Sequence, residues 1–96
     1  APVHPEAAVS DAPALLALGD GRVVLAWHGK LPASADAPAR RRVFVRTGRD
    51  HGARWDPVVA VDDGTAEAAW PALAATADGA VLVAWVQADR IWSAPV

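Results

Sequence analysis

An all-β fold made of two four-stranded antiparallel repeats is the architecture this 96-residue sequence predicts, and three observations predict it. The segment PALLALGDGRVVLAWHG (13–29) returns as PALAATADGAVLVAWVQ (71–87), 58 residues further on (13 against 71), with nine of seventeen positions identical and no gap. Each copy sets Asp-Gly between two apolar runs, a strong short-range hairpin signal. The second run of each is rich in Val and Leu and ends in Ala-Trp, residues of which the β-branched and aromatic ones suit a pleated, packed surface.

In the first copy, residues 13–19 form the opening strand and Asp20-Gly21 the turn, where Gly accepts the positive φ that a tight hairpin needs. Along the second strand, Val23, Leu25 and Trp27 alternate with Val24 and Ala26, so both faces are apolar. Such a strand belongs in the middle of a sheet packed on both sides. RVFVRT (42–47) is the third strand, reached through GKLPASADAPARR, a Pro/Ala/Asp-rich loop about a dozen residues longer than its counterpart, as surface insertions in repeats are. PVVAV (57–61) is the fourth, and repeat 1 spans about residues 13–61.

Repeat 2, about residues 71–96, has the same hairpin and a third strand RIWSA (90–94), in which Trp92 takes the place of Phe44. No fourth strand follows; PVH at 2–4 resembles the Pro-Val start of 57–61, so a strand at residues 2–9, or a neighbour, completes it. TAEAAWPALAATA (65–77) has helical character, since Ala favours helix and Thr65 suits an N-cap. Pro71 in its middle and its alignment with 13–19 place it as strand instead.

Composition narrows the function classes. No apolar stretch reaches the roughly 18 residues of a membrane helix, and a formal net charge of −2 is the wrong sign for phosphate recognition. Neither a membrane nor a nucleic acid is therefore an expected partner. Without Cys there is no disulfide framework, thiolate metal site or Cys nucleophile. The opening APVHPEAAVS, with no initiator Met and no apolar signal region, fits a mature secreted or periplasmic protein or an excised segment.

RDHGARW (49–55) carries the spacing Asp50-x-Gly52-x-x-Trp55 between the third and fourth strands. In such a turn an Asp accepts backbone N–H groups two and three residues on, Gly supplies the unusual φ, and Trp tucks its ring between strands. The stretch, with the repeated strands and PALxxxxDGxVxxAW, resembles the Asp-box repeat of sialidase-like β-propellers. Gly48 stands where that pattern has Ser or Thr, and Thr47 is one residue earlier. The resemblance implies that each repeat is a propeller blade, that Asp50, Gly52 and Trp55 are structural, and that the box lies on the outer rim away from any active site. Two blades cannot close a ring, so either several chains assemble into one propeller or this segment, 1–96, belongs to a larger one.

Sialidases of that fold use an arginine cluster, a tyrosine nucleophile with a glutamate partner and an aspartate acid/base; this chain has no Tyr. Only Glu6 and Glu67 are Glu, and the Asp residues fall largely in turns, so no carboxylate pair stands out for glycoside hydrolysis. His4, His28 and His51 lack the close pairing of metal sites. The ARRR run (39–42) reads as a solvated loop entering a strand, with an anionic-ligand clamp as the alternative. No catalytic residue, metal site or cofactor is nominated. Trp27 and Trp85 are repeat-equivalent core residues, whereas Trp70 and Trp92 fall nearer element ends and are the candidate ligand contacts, since indole faces stack on sugars. The expected function is a non-catalytic binding or scaffold module, with a glycan as first ligand to test and self-association or the remaining blades of a longer chain as partner. The alternative is a fragment of a sialidase-like glycoside hydrolase whose catalytic residues lie outside the chain; a third reading is a structural repeat for protein contacts.

Overall fold

The computed structural model describes residues 9–31 and 40–96, and among these every regular element is a strand. In chain order they are β1 (Val9–Ala17), β2 (Val23–Leu31), β3 (Arg40–Arg49), β4 (Arg54–Trp55), β5 (Val59–Ala60), β6 (Ala68–Ala75), β7 (Val81–Gln87) and β8 (Arg90–Pro95). They make two antiparallel sheets, β1-β2-β3-β4 with β5 also on β3, and β6-β7-β8. The strand expected at 2–9 lies, apart from Val9, outside the described residues, as does the middle of the long loop after β2.

The two sheets repeat each other pair by pair. Ala14 faces Ala26 and Ala17 faces Val23 in the first, and Ala72–Ala84 and Ala75–Val81 take the same places in the second. Both ladders shift register once, between Asp11 and Ala14 and between Ala69 and Ala72. At that bulge the residue before the proline, Ala12 or Trp70, has a positive φ of 52° or 59°. The turns also match. Leu18 N–H donates to the Arg22 carbonyl at 2.9 Å and Gly21 N–H to that of Leu18 at 3.2 Å; Thr76 donates to Ala80 at 2.8 Å and Gly79 to Thr76 at 3.1 Å. Each is a three-residue hairpin loop with Gly in the left-handed position, φ 89° at Gly21 and 85° at Gly79.

The third strands keep the equivalence, with Trp27 opposite Phe44 and Trp85 opposite Trp92. The fourth strand of the first sheet comes in two pieces. β4 pairs Trp55 with Gly48, and β5 pairs Val59 with Val45 and Ala60 with Phe44. Asp56, Pro57 and Val58 separate them: Asp56 N–H still bonds the Thr47 carbonyl of β3 at 2.8 Å, and Pro57, with no N–H for the ladder, interrupts the pairing. The Ala-rich stretch is strand β6, as Pro71 and the repeat require.

Residues directly opposed in an antiparallel pair share a face, and this fixes how the sheets meet. Val24, Ala26, Val43 and Val45 present one face of the first sheet to Val81, Val83, Trp85 and Ala68 of the second. Strand β6 lies across β1, β2 and β3. By repeat position, Val24 and Ala26 correspond to Leu82 and Ala84, which are not the residues the second sheet turns inward. The sheets therefore stack front to back. On the far face of the first sheet, Trp27 and Phe44 are buried with ring centroids 5.7 Å apart, so β2 is packed on both sides as its sequence predicts. Strand β7 is not: Leu82 and Val86 are exposed, and no third sheet lies behind it among the described residues.

Candidate functional site

Asp50, His51 and Gly52 form a left-handed run (φ 53°, 57° and 88°) that returns β3 into β4. Asp50 does not take the backbone hydrogen bonds expected of it. Already inside the left-handed turn, it pairs instead with Arg54 at 2.6 Å, both side chains largely exposed. Trp55 is half-buried and lies over Gly48, where a Cβ would come within 3.1 Å of the ring. The Arg46 guanidinium sits 5.9 Å from its centroid. Gly48, the departure from the Asp-box pattern, is thus what lets the ring lie against β3. His51 N–H donates to the Gly21 carbonyl at 2.9 Å and ties this turn to the first hairpin.

The carboxylate that braces the backbone is Asp62. Its side chain is fully buried and accepts Val43 N–H at 2.9 Å, Gly64 N–H at 3.0 Å and Arg42 Nε at 2.7 Å. Sequence reasoning passed over it among the turn aspartates; its one signal is the Asp-x-Gly spacing of Asp62-Asp63-Gly64. The same turn engages the arginine run, since Arg40 bonds the Gly64 carbonyl and Arg41 N–H bonds Glu67 at 2.8 Å. Arg40 and Arg42 are fold-holding here rather than an open anion clamp. Beside it, Asp63 accepts from the Thr65 backbone and hydroxyl and from Gln87, which holds its carboxyl below the usual value.

His28 is buried, and its Nδ1 accepts the Trp70 N–H at 2.9 Å. That bond satisfies the backbone group which the bulge removes from the ladder. The Trp70 ring meets the imidazole edge-on at 4.9 Å and is itself 65% exposed. Trp92 is 43% exposed, with its indole N–H donated to the Gln87 carbonyl at 3.1 Å. The Gln87 side chain is held in turn by Trp85 Nε1 at 3.1 Å. Each candidate indole is the third residue of its strand, fixed by one hydrogen bond, of its backbone N–H (Trp70) or its indole N–H (Trp92), with ring surface in solvent. They are not brought together: β7 runs between their strands, which sets them about 10 Å of sheet apart.

His51 is exposed, and His4 lies outside the described residues. Among the described residues no three His, Asp or Glu side chains gather as a metal site would require. A cleft of about 190 Å³ opens between Val45, Val59 and Val61 of the first sheet and Pro95 and Val96 of the second. It is apolar and smaller than the roughly 300 Å³ at which ligand pockets begin. What the arrangement offers chemically is two separate indole faces on a rigid sheet. No family model, curated protein or solved structure matches the chain.

Proposed function

We propose that this chain is a non-catalytic binding or scaffold module of the sialidase-like propeller type, each sheet one blade, with carbohydrate as the ligand class of Trp70 and Trp92. The observation that carries the reading is the front-to-back stacking of two sheets that repeat each other in register, bulge and turn. Equal sheets stacked in one sense around an axis are the plan of a propeller. The chain path agrees, passing from β5 on the outer strand of the first sheet to β6, the equivalent of β1, in the second. Arg22, Arg42, Arg46, Arg49 and Arg54 all bond carboxylates or carbonyls of the fold. On the second sheet, Trp70 and Trp92 are the aromatic rings turned to solvent, and the C–H face of a sugar stacks on indole.

The test is a titration of the purified chain with neutral and acidic oligosaccharides, read by Trp emission. Wild type is expected to respond, and Trp70→Ala and Trp92→Ala each to respond less while keeping the circular dichroism of the fold. A fluorogenic sialoside is expected to remain intact. Turnover that follows the pure protein would favour the hydrolase fragment, and silence across a broad glycan array would leave only the scaffold role.

A further inference from the structure

Arg22, Arg40, Arg42, Arg46, Arg49 and Arg54 each bond a carboxylate or a carbonyl of the fold. Among the described residues, the cations whose side chains take no hydrogen bond or ion pair are Lys30, Arg41 and Arg90. Arg90 stands apart on β8, but Lys30 on β2 and Arg41 on β3 are directly opposed in the ladder. Their side chains leave the same face of the sheet, with about 5 Å between the Cβ atoms. Like charges placed in this way repel and weaken the strand pair unless something negative lies between them. The nearby carboxylates do not fill that place. Glu67 accepts the Arg41 backbone N–H at 2.8 Å, and on β1 it is Val9 that faces Lys30, with Asp11 opposite His28 instead. Side chains alternate along a strand, so Lys30 shares its face with His28. His28 in turn holds Trp70 through the 2.9 Å bond to its N–H and the edge-on ring contact. Lys30 lies two residues beyond His28, about 7 Å along β2. Toward Ala26, which is fully buried, this face is sealed by the core; toward Lys30 and Arg41, both exposed, it opens to solvent. An exposed indole and two cations without counter-charge thus border one open end of the seam where β6 crosses the first sheet.

We infer that Trp70, Lys30 and Arg41 form a binding site for an acidic sugar, the indole taking the C–H face of the ring and the two cations its carboxylate or sulfate oxygens. The inference rests on reading Trp70 as a carbohydrate contact, and it narrows the ligand class there from sugars in general to those bearing an anionic group. An anion seated between Lys30 and Arg41 removes their repulsion, which a neutral sugar cannot do, so the preference comes from the opposed pair. The net charge of −2 on the chain opposes it only weakly, because charges more than about 8 Å away are largely screened at physiological salt. Arg40 and Arg42, the neighbours of Arg41 in sequence, turn to the other face and are held by the turn at 62–64. The middle member of the arginine run is therefore the one left for a ligand.

The test is isothermal titration of the whole chain with three oligosaccharides of matched length: an oligogalacturonate, a sulfated galactan and a neutral galactan. The acidic probes are expected to bind about tenfold tighter than the neutral one, as a charge-assisted contact supplies. Raising the salt should erode that advantage and leave the neutral probe unchanged. Lys30→Gln and Arg41→Gln alter exposed side chains and keep the Glu67 bond to the Arg41 backbone. Each should weaken acidic binding several-fold, and the double variant should bring it to the neutral level, with neutral binding and circular dichroism as in wild type. Arg54→Gln, which removes the same charge at the other end of β3, is expected to change neither. Trp70→Ala should weaken both classes. Response to one acidic probe and not the other supports the site and names its anionic group. Equal affinity of wild type for acidic and neutral sugars overturns the inference and leaves the carbohydrate reading standing. So does an acidic preference that survives the double variant, that falls as far in Arg54→Gln, or that persists at full affinity in Trp70→Ala. Absence of binding to every probe sinks the carbohydrate reading and this inference with it.

Discussion

Asp50 and Asp62 both stand two residues before a Gly, yet only one of them holds the fold. Asp50 is in a solvent-exposed pair with Arg54, and such pairs contribute about 0–1 kcal/mol. Asp62 has no solvent access and satisfies two backbone N–H groups together with Arg42. Removing it strands those donors and takes the carboxylate from a partly buried guanidinium, which keeps only the Asp62 carbonyl at 3.1 Å, at a cost of roughly 3 kcal/mol. Denaturant melts are therefore expected to show Asp62→Ala strongly destabilised and Asp50→Ala within about 1 kcal/mol of wild type. The reverse order would return the bracing role to the Asp-box position. The difference was not legible in the sequence, because burial decides it: β3 passes over Asp62, whereas the turn that holds Asp50 projects from the sheet.

The hairpin β7–β8 turns through Ala88-Asp89, both left-handed at φ 53° and 60°, with Gln87 and Arg90 paired across them. This two-residue turn favours Asn-Gly or Gly, and Ala pays a steric penalty there. Ala88→Gly is expected to raise stability by about 1 kcal/mol, seen as a thermal midpoint several degrees higher. An unchanged or lower midpoint would mean that the turn is not left-handed at Ala88. Elements whose chemistry is local were legible. Asp20-Gly21 and Asp78-Gly79 announce their turns, and the repeat, with a shorter connection before its third strand, puts Trp92 in the place of Phe44, opposite Trp85 as Phe44 is opposite Trp27. The bulges before Pro13 and Pro71 were not, because Ala12 and Trp70 are poor residues for a positive φ. The backbone group freed at Trp70 is satisfied by His28, forty-two residues away.

How the sheets stack was hidden for a related reason: a strand apolar on both faces does not say which face meets its neighbour. The structure answers with a front-to-back stack whose rim is pinned by turn aspartates, and those aspartates contribute to how the molecule responds to acid. Asp20 is held below its ordinary value of 3.8 by the Arg22 backbone and side chain, and Asp56 by Arg49. Asp63 is lowered by Thr65 and Gln87, and Asp78 by the Thr76 hydroxyl and Ala80 N–H. In each, the folded state releases its proton more readily than the unfolded chain does. The stability they contribute is then complete above the unfolded value of 3.8 and lost as pH falls through the lower folded values. The thermal midpoint is expected to hold level from neutrality to about pH 5 and to fall below about pH 4. Asp63→Asn and Asp78→Asn should be less stable at neutrality and should lose less on acidification, since an amide does not titrate. A midpoint that falls mainly between pH 7 and pH 5 would implicate a histidine instead, because that is where imidazole takes up its proton.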